Sequence, residues 1–307
     1  MYVERQRKKS GTYFYIVTNL RKGGKWKKER IYIGKDLEKA ELKRRVALRK
    51  PELTKKVTET KKSEDPLMDL VSAEQGGRII EIKGLYLKRR RDAMMHKNRY
   101  ENFVTKFTYD TNAIEGSTVT LQETALILFD KVVPEGKTIR EINEVQNHRD
   151  AFDYMMRYTG DISKVFVLKL HRLLMHNILW KHAGKFRDVQ VYVRGATFTP
   201  PRPGNVENEF KRLMIWYRAN KKRYHPVAVA AYFHHAFESI HPFRDGNGRV
   251  GRLLLNFILK KNNLPMVNIQ NKRKGRYYEA LEAGNKGNLK PFAGLIIEHM
   301  EEFEFSV

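Results

Sequence analysis

HPFRDGNGR, residues 241–249, lies between two apolar stretches, YFHHAFESI at 232–240 and VGRLLLNFIL at 250–259. Pro242 ends the first as a helix, because proline brings no amide and fixes its own φ. Gly246 and Gly248 permit a tight turn, and a second helix begins near Arg249. A glycine-containing loop running into a helix start is an anion cradle: its unpaired amides converge on one place and the helix dipole adds to them. Arg249 and Arg252 stand three apart, so both can rise from one face of the second helix toward phosphate oxygens. Asp245 offers a hard oxygen for Mg²⁺, which proteins hold with one or two carboxylates plus substrate phosphates. His241 titrates near neutral pH in the same loop, where it can take a proton from an attacking hydroxyl. Singly, each residue has a bland reading: a histidine capping a helix, an Asp-Gly turn, two arginines on a solvated face. Together they place phosphate binding, a metal ligand and a base within a dozen residues.

Working outward, the chain from about residue 92 reads as helical. Thr120-Leu-Gln-Glu123 is a capping box ahead of an apolar run. Helical spacing predicts further helices at 139–159, 163–180, 205–220, 226–240, 249–262, 276–285 and 290–302. One segment breaks the pattern: residues 190–199 alternate around Arg194-Gly195 and read as a short β-hairpin. His234 and His235 lack metal-ligand spacing, and one of them is expected to pack inward.

The first 62 residues differ in character. Of a formal net charge of +25 over 307 residues, they hold 21 Lys/Arg against 7 Asp/Glu, a surplus of 14. The β-branched and aromatic runs at 12–18 and 29–34 flank Gly23-Gly24 and predict a hairpin. A Leu/Glu/Lys/Arg helix follows from Asp36 to Lys50, stopped by Pro51. Residues 52–65 read as a polar linker ending at Pro66. Next come a short helix to Gln75, a break at Gly76-Gly77, and a longer helix through Lys88-Arg-Arg-Arg91. The expected organisation is a basic hairpin-plus-helix unit at 1–62, a linker and helix at 63–91, and a mainly α core at 92–307. Tyr13, Phe14, Tyr15, Trp26 and Tyr32 among the cations suit nucleic acid or another acidic partner. Abundant Lys and Arg also serve solubility or heat tolerance.

Composition excludes whole classes. With no cysteine there is no disulfide, thiolate metal site or cysteine nucleophile. No apolar run approaches the roughly 20 residues of a membrane span, and the start lacks the apolar middle of a signal peptide, so the expected address is the cytoplasm. A homodimer is left open.

HPFRDGNGRVGR resembles the signature of the Fic family, HxFx(D/E)GN(G/K)RxxR, at every specified position. LHRLLMHNI at 170–178, Gly184-Lys-Phe-Arg187, Trp216, HPVAVAAYFHHAF at 225–237 and YYEAL at 277–281 extend the resemblance over roughly 92–300. It implies a Fic-type helical bundle with a small β-hairpin flap, and transfer of AMP from ATP to a Ser, Thr or Tyr hydroxyl of a target protein. His241 would be the base, and Asp245 would hold Mg²⁺ on the α and β phosphates. Asn247, the amides of Gly246 and Gly248, and Arg249 would hold phosphates, with Arg252 on the γ-phosphate. Phe243 would anchor the loop, and Tyr277 and Tyr278 would flank adenine. Gly248 stands where the phosphorylating branch of the family carries lysine. Thr111-Asn-Ala-Ile-Glu115-Gly116 resembles the family's inhibitory motif (S/T)xxxE(G/N), which implies a helix ending near 115 whose Glu115 withdraws Arg252 from ATP. In some relatives that glutamate also helps water remove AMP. The segment with Val191, Tyr192 and Val193 matches the family's target-docking flap, to which a stretch of target could add as a strand.

Overall fold

A computed structural model gives the structure of the protein and describes residues 1–22, 25–63, 65, 67–89, 93–193 and 197–305. The chain divides into two compact units, Met1–Asp69 and Leu70–Val307.

In the first unit, β1 (Tyr2–Lys8), β2 (Gly11–Lys22) and β3 (Lys25–Lys35) form an antiparallel sheet in that order, followed by α1 (Lys39–Ser63). The sequence predicted only the β2–β3 hairpin, whose Gly23-Gly24 turn lies outside the described residues. β1, YVERQRK, is mostly exposed: it is held by its backbone ladder to β2 and not by burial, so no apolar alternation announces it. The predicted stop at Pro51 is also corrected, because α1 continues to Ser63 through the stretch read as linker. Leu53, just past the proline, is fully buried with Phe14, Ile16 and Ile33 of the sheet, and that packing outweighs the missing amide. Phe14 therefore belongs to the core. Trp26 falls in a strand stretch whose side chains lie outside the described set.

The second unit is helical. It comprises α2 (Ala73–Arg89), α3 (Ala93–Ile114), the short α4 (Leu121–Ala125) with a π-turn to Asp130, α5 (Ile139–Arg157), α6 (Lys164–Met175), α7 (Pro203–Asn220), α8 (Pro226–Ile240), α9 (Asn247–Lys261), α10 (Lys274–Asn285) and α11 (Lys290–Phe305). Gly76-Gly77 do not break α2, since Ile79 and Ile82 one turn later bury its face. Pro66, Arg90 and Arg91 lie outside the described residues. The capping box at Thr120 forms in both directions. No strand forms at 190–193 or 197–199, and 194–196 lie outside the described residues. The Gln190 side-chain amide donates to the carbonyls of Val191 and Pro200 and so links the two arms there. Among the described residues no helix is long and apolar enough to cross a membrane.

α8 and α9 form the centre. Nine residues of α8 are buried, and α9 is buried without interruption from Arg249 to Leu259, so the other helices wrap an αα-hairpin whose connection is the 241–246 loop. Three histidines are sealed into this core. Burial drives the imidazoles of His148 and His234 down to about 3 and that of His171 to about 4. The unfolded chain takes up protons at these sites below its ordinary value of about 6.5 while the folded chain does not, so their stabilisation is lost as pH falls. Glu238, pushed up by burial to about 8, acts oppositely: between pH 6 and 5 it binds its proton only when folded and offsets about one histidine. These four groups alone give an expected loss of about 2 kcal/mol from pH 6 to 5, to which His225, His235, His241 and His299, also lowered by burial, add, measurable as a shift in urea unfolding midpoint. A stability that rises over this interval would contradict the burial assignments.

Candidate active site

The loop is built to leave α8 at a sharp angle. His241 follows the last residue of α8 in the left-handed region (φ 47°, ψ 61°), with its N–H donating to the Phe237 carbonyl at 3.0 Å. A side chain there is strained, and Arg187 holds it in place. Arg187 Nε donates to the His241 carbonyl at 2.8 Å, its Nη1 to the Val189 carbonyl at 3.0 Å, and its backbone N–H to the Pro242 carbonyl at 2.9 Å. Phe243 points fully inward and stacks on His171 at 3.7 Å. The His171 ring accepts from the Gly184 N–H at Nδ1 (2.9 Å), so its Nε2–H donates to the Asp245 carbonyl (3.1 Å). Asn247 closes the loop: its Oδ1 accepts from the Phe243 N–H (2.8 Å) and its Nδ2 donates to the Phe243 carbonyl (2.9 Å). That commits the Asn247 side chain to the backbone and leaves only its main-chain amide for a phosphate.

Gly246 (φ +79°) precedes α9, whose first turn has no side-chain cap, so its amides are open to an anion. A Cβ at Gly246 would stand 2.6 Å from the Met175 methyl carbon, which excludes any other residue without a shift of Met175.

The two arginines diverge where one shared face was expected. Arg249, 2% exposed, turns to α5, meeting Asp245 Oδ1 at 3.1 Å and Glu144 at 3.4 Å. Arg252, equally buried, turns to the end of α3. Its Nε donates to Thr111 Oγ1 (2.6 Å), and its Nη2 to the Thr111 carbonyl (3.1 Å) and Glu115 Oε1 (2.7 Å). Each guanidinium takes the acid nearest its own side of the helix, which a 60° separation around the axis allows. Glu115 Oε1 also lies only 2.3 Å from where a Cβ on Gly248 would stand, so the carboxylate sits on the open first turn of α9. Glu115 and Glu238 raise the affinity of Arg252 for its proton against the effect of its burial.

Burial alone would push the Asp245 carboxyl up, but Arg249, the Gly246 amide and Arg140 outweigh it and hold it below the ordinary carboxylate range. Its Oδ2 accepts from Arg140 at 3.0 Å, and Arg140 is itself braced by Glu144. Burial lowers the His241 imidazole, more than the Glu238 carbonyl and nearby carboxylates restore. A carbonyl only accepts, so the 3.3 Å contact between His241 Nδ1 and the Glu238 carbonyl puts the ring proton on Nδ1 and leaves Nε2 unprotonated.

His241, Glu115, Gly248 and Arg252 open on one cavity of about 380 Å³, within the range of small-molecule sites. Tyr192, Val193 and Tyr278 also line it; Val191 stands outside. The two tyrosines of α10 differ: Tyr277 is 2% exposed with its hydroxyl 2.8 Å from His234 Nε2, while Tyr278 is 49% exposed. Glu238 is the side chain that sequence reasoning passed over, an acid within an apolar helix. Its Oε2 lies 4.0 Å from His241 Nδ1, and its buried Oε1 has no hydrogen-bond partner among the described residues.

Residues 161–259 match the Fic/DOC family. The protein adenylyltransferase Fic of Culex quinquefasciatus is 34% identical over 215 residues, 68% of this chain and 42% of that protein. The protein adenylyltransferase fic-1 of Caenorhabditis elegans is 35% identical over 201 residues, 64% of this chain and 39% of that protein. The chain thus spans about two fifths of the length of the curated relatives it matches. A solved structure of Fic-1 from C. elegans superposes with a TM-score of 0.66 at 30% identity, covering 76% of this chain and 71% of that one. A Fic domain containing signaling protein from Bacteroides thetaiotaomicron reaches 0.69 at 23% identity over 74% of this chain and 95% of that one, and shares the fold. The chain belongs to the Fic family.

Proposed function

We propose that this chain transfers AMP from ATP to a Ser, Thr or Tyr hydroxyl of a target protein. The observation that carries the reading is one cavity lined both by His241 and by Gly248 at the uncapped start of α9. The names of the curated relatives point the same way. The target oxygen bonds to the α-phosphorus as the P–O bond to the β-phosphate breaks. Pyrophosphate leaves with that electron pair, and the hydroxyl proton goes to His241 Nε2. The amides of Asn247 and Gly248 bind phosphate oxygens, that of Gly246 being spent on Asp245 Oδ1, and Arg252 takes the terminal phosphate once Glu115 releases it. Arg187 and Phe243 fix the loop so that these groups converge. Tyr278, half open in the cavity lining, stands beside the adenine, and the buried Tyr277 backs it. Tyr192 and Val193 border the entrance that a target segment would use.

Among the described residues no group of three or more His, Asp or Glu could cage a metal. An ionised Asp245 beside a phosphate cradle instead fits Mg²⁺, which needs as little as one carboxylate when ATP phosphates and water supply the remaining oxygens. Bound there, Mg²⁺ would neutralise charge on the phosphates. Asp245 can serve only by giving up a guanidinium contact, and the exposed Arg140 is the one free to swing away. Asp245→Ala should weaken ATP binding at least tenfold in Mg²⁺ but hardly in EDTA, read by calorimetry. An unchanged Mg²⁺ dependence would place the metal ligand elsewhere. The direct test of function is incubation with α-labelled ATP and Mg²⁺. Label retained on protein after denaturation supports AMP transfer, and label from γ-labelled ATP would mean phosphorylation instead.

A further inference from the structure

Strand register sorts the residues of the N-terminal sheet. Phe14 and Ile16 face α1, so Tyr13 and Tyr15 project from the opposite side. Tyr15 is paired across the ladder with Tyr32, and the two rings lie 5.6 Å apart, with Tyr13 6.2 Å from Tyr32. Four cations ride on this aromatic surface. Lys8 and Lys35 lie over Tyr13 at 5.4 and 6.0 Å, Arg30 over Tyr15 at 5.3 Å, and Lys28 over Tyr2 at 6.0 Å. Tyr2 and Tyr32 are each 47% exposed. Glu4, which shares the face with Tyr15, is bridged to Lys28, and Asp36 meets Lys35 at 3.8 Å, so acids offset only part of the charge.

We propose that this open face docks in the major groove of double-stranded DNA. Cations held on rings at fixed places meet phosphates without losing much further freedom, and the surplus of 14 positive charges in residues 1–62 supplies the long-range attraction. Cations lie over the Tyr2, Tyr13 and Tyr15 rings, which disfavours stacking of single-stranded bases on those three. Width decides the rest. The β2–β3 pair, which carries Tyr13, Tyr15, Arg30, Tyr32 and Lys35, is a two-stranded ribbon, an element that a B-form major groove about 12 Å wide admits. The major groove of duplex RNA is too narrow and deep for such an element. α1 covers the other side of the sheet; on this side Tyr2 and Tyr32 stay open, while Val17 on the same face is fully buried. The proposal is independent of the AMP-transfer reading, and either can fail alone.

The test is fluorescence anisotropy of the full chain with a labelled 20-base-pair DNA duplex, its single strand and the matching RNA duplex. The DNA duplex should bind tightest, with a log–log salt slope of about −3 to −4, four cations at about −0.9 each. Arg30→Glu with Lys35→Glu should weaken binding at least tenfold and flatten the slope by about 2. Lys43→Glu with Lys50→Glu, the same charge change at exposed positions of α1, should cost less than threefold. If the first pair misfolds, Arg30→Gln with Lys35→Gln should still flatten the slope. Absence of duplex binding at low salt, equal losses in the two variant pairs, or equal binding of single strand or RNA duplex would each overturn the proposal.

Discussion

His241→Ala is expected to lower AMP transfer by about 100- to 10,000-fold, the usual contribution of a positioned general base. ATP affinity should stay within about twofold. The imidazole opens on the cavity beside the cradle, but its work is on the target hydroxyl, which ATP binding does not involve. Alanine at φ 47° loses the histidine ring and keeps the strain, at about 1–2 kcal/mol. His241→Asn is therefore the companion variant, since asparagine tolerates the left-handed region and cannot act as a base. Both should be equally inactive despite different stabilities, which separates lost chemistry from lost fold. Because burial lowers the imidazole, the parent rate should hold from pH 8 to 7 and begin to fall only below the ordinary value of about 6.5. If nucleotide affinity dropped as far as the rate, His241 would be a binding residue and not the base.

The loop could be read from sequence because its determinants are local. Proline and glycine set the backbone within six residues, and Asp245, Arg249 and His241 carry their chemistry in their own side chains. The capping box at Thr120 is local for the same reason. Distant partners could not be read from the residues themselves; only the family resemblance marked Thr111 and Arg187 and paired Glu115 with Arg252. Thr111 matters through Arg252, 141 positions away, and Arg140 through Asp245, 105 away. Arg187 reads as one more basic residue until its guanidinium is seen holding the carbonyl of His241. Glu238 gives no signal at all, since an acid at a helix end is ordinary until that end is buried. Local rules misled where burial opposed them: Leu53 carries α1 past Pro51, and Ile79 and Ile82 carry α2 past two glycines. Asn247 erred in the other direction. Its polar side chain suggested a ligand contact, but the loop needed it to close on Phe243.

Glu115→Gly should raise self-labelling from α-labelled ATP by one or more orders of magnitude. The 2.7 Å contact to Arg252 and the close approach to Gly248 mean that one carboxylate occupies both anion-binding features a terminal phosphate would use. A charge-assisted contact of this kind is worth a few kcal/mol, and each ~1.4 kcal/mol is tenfold. Thr111 keeps two of the contacts to Arg252 when Glu115 is gone, so the arginine should stay in place and need not be re-ordered by ATP. Removing the carboxylate leaves a buried guanidinium without its charged partner, so Glu115→Gly should melt lower than the parent and gain more from added Mg²⁺-ATP. Glu115→Gln, which keeps an acceptor but no charge, should fall between the two. Glu115→Gly with Arg252→Ala should return to a low rate, because release helps only if the arginine is there to use. Strictly additive effects in this cycle would deny the coupling. Should Glu115→Gly leave labelling unchanged and instead stop the release of AMP from a pre-modified protein, Glu115 would be a hydrolytic residue and the site would run toward removal of AMP.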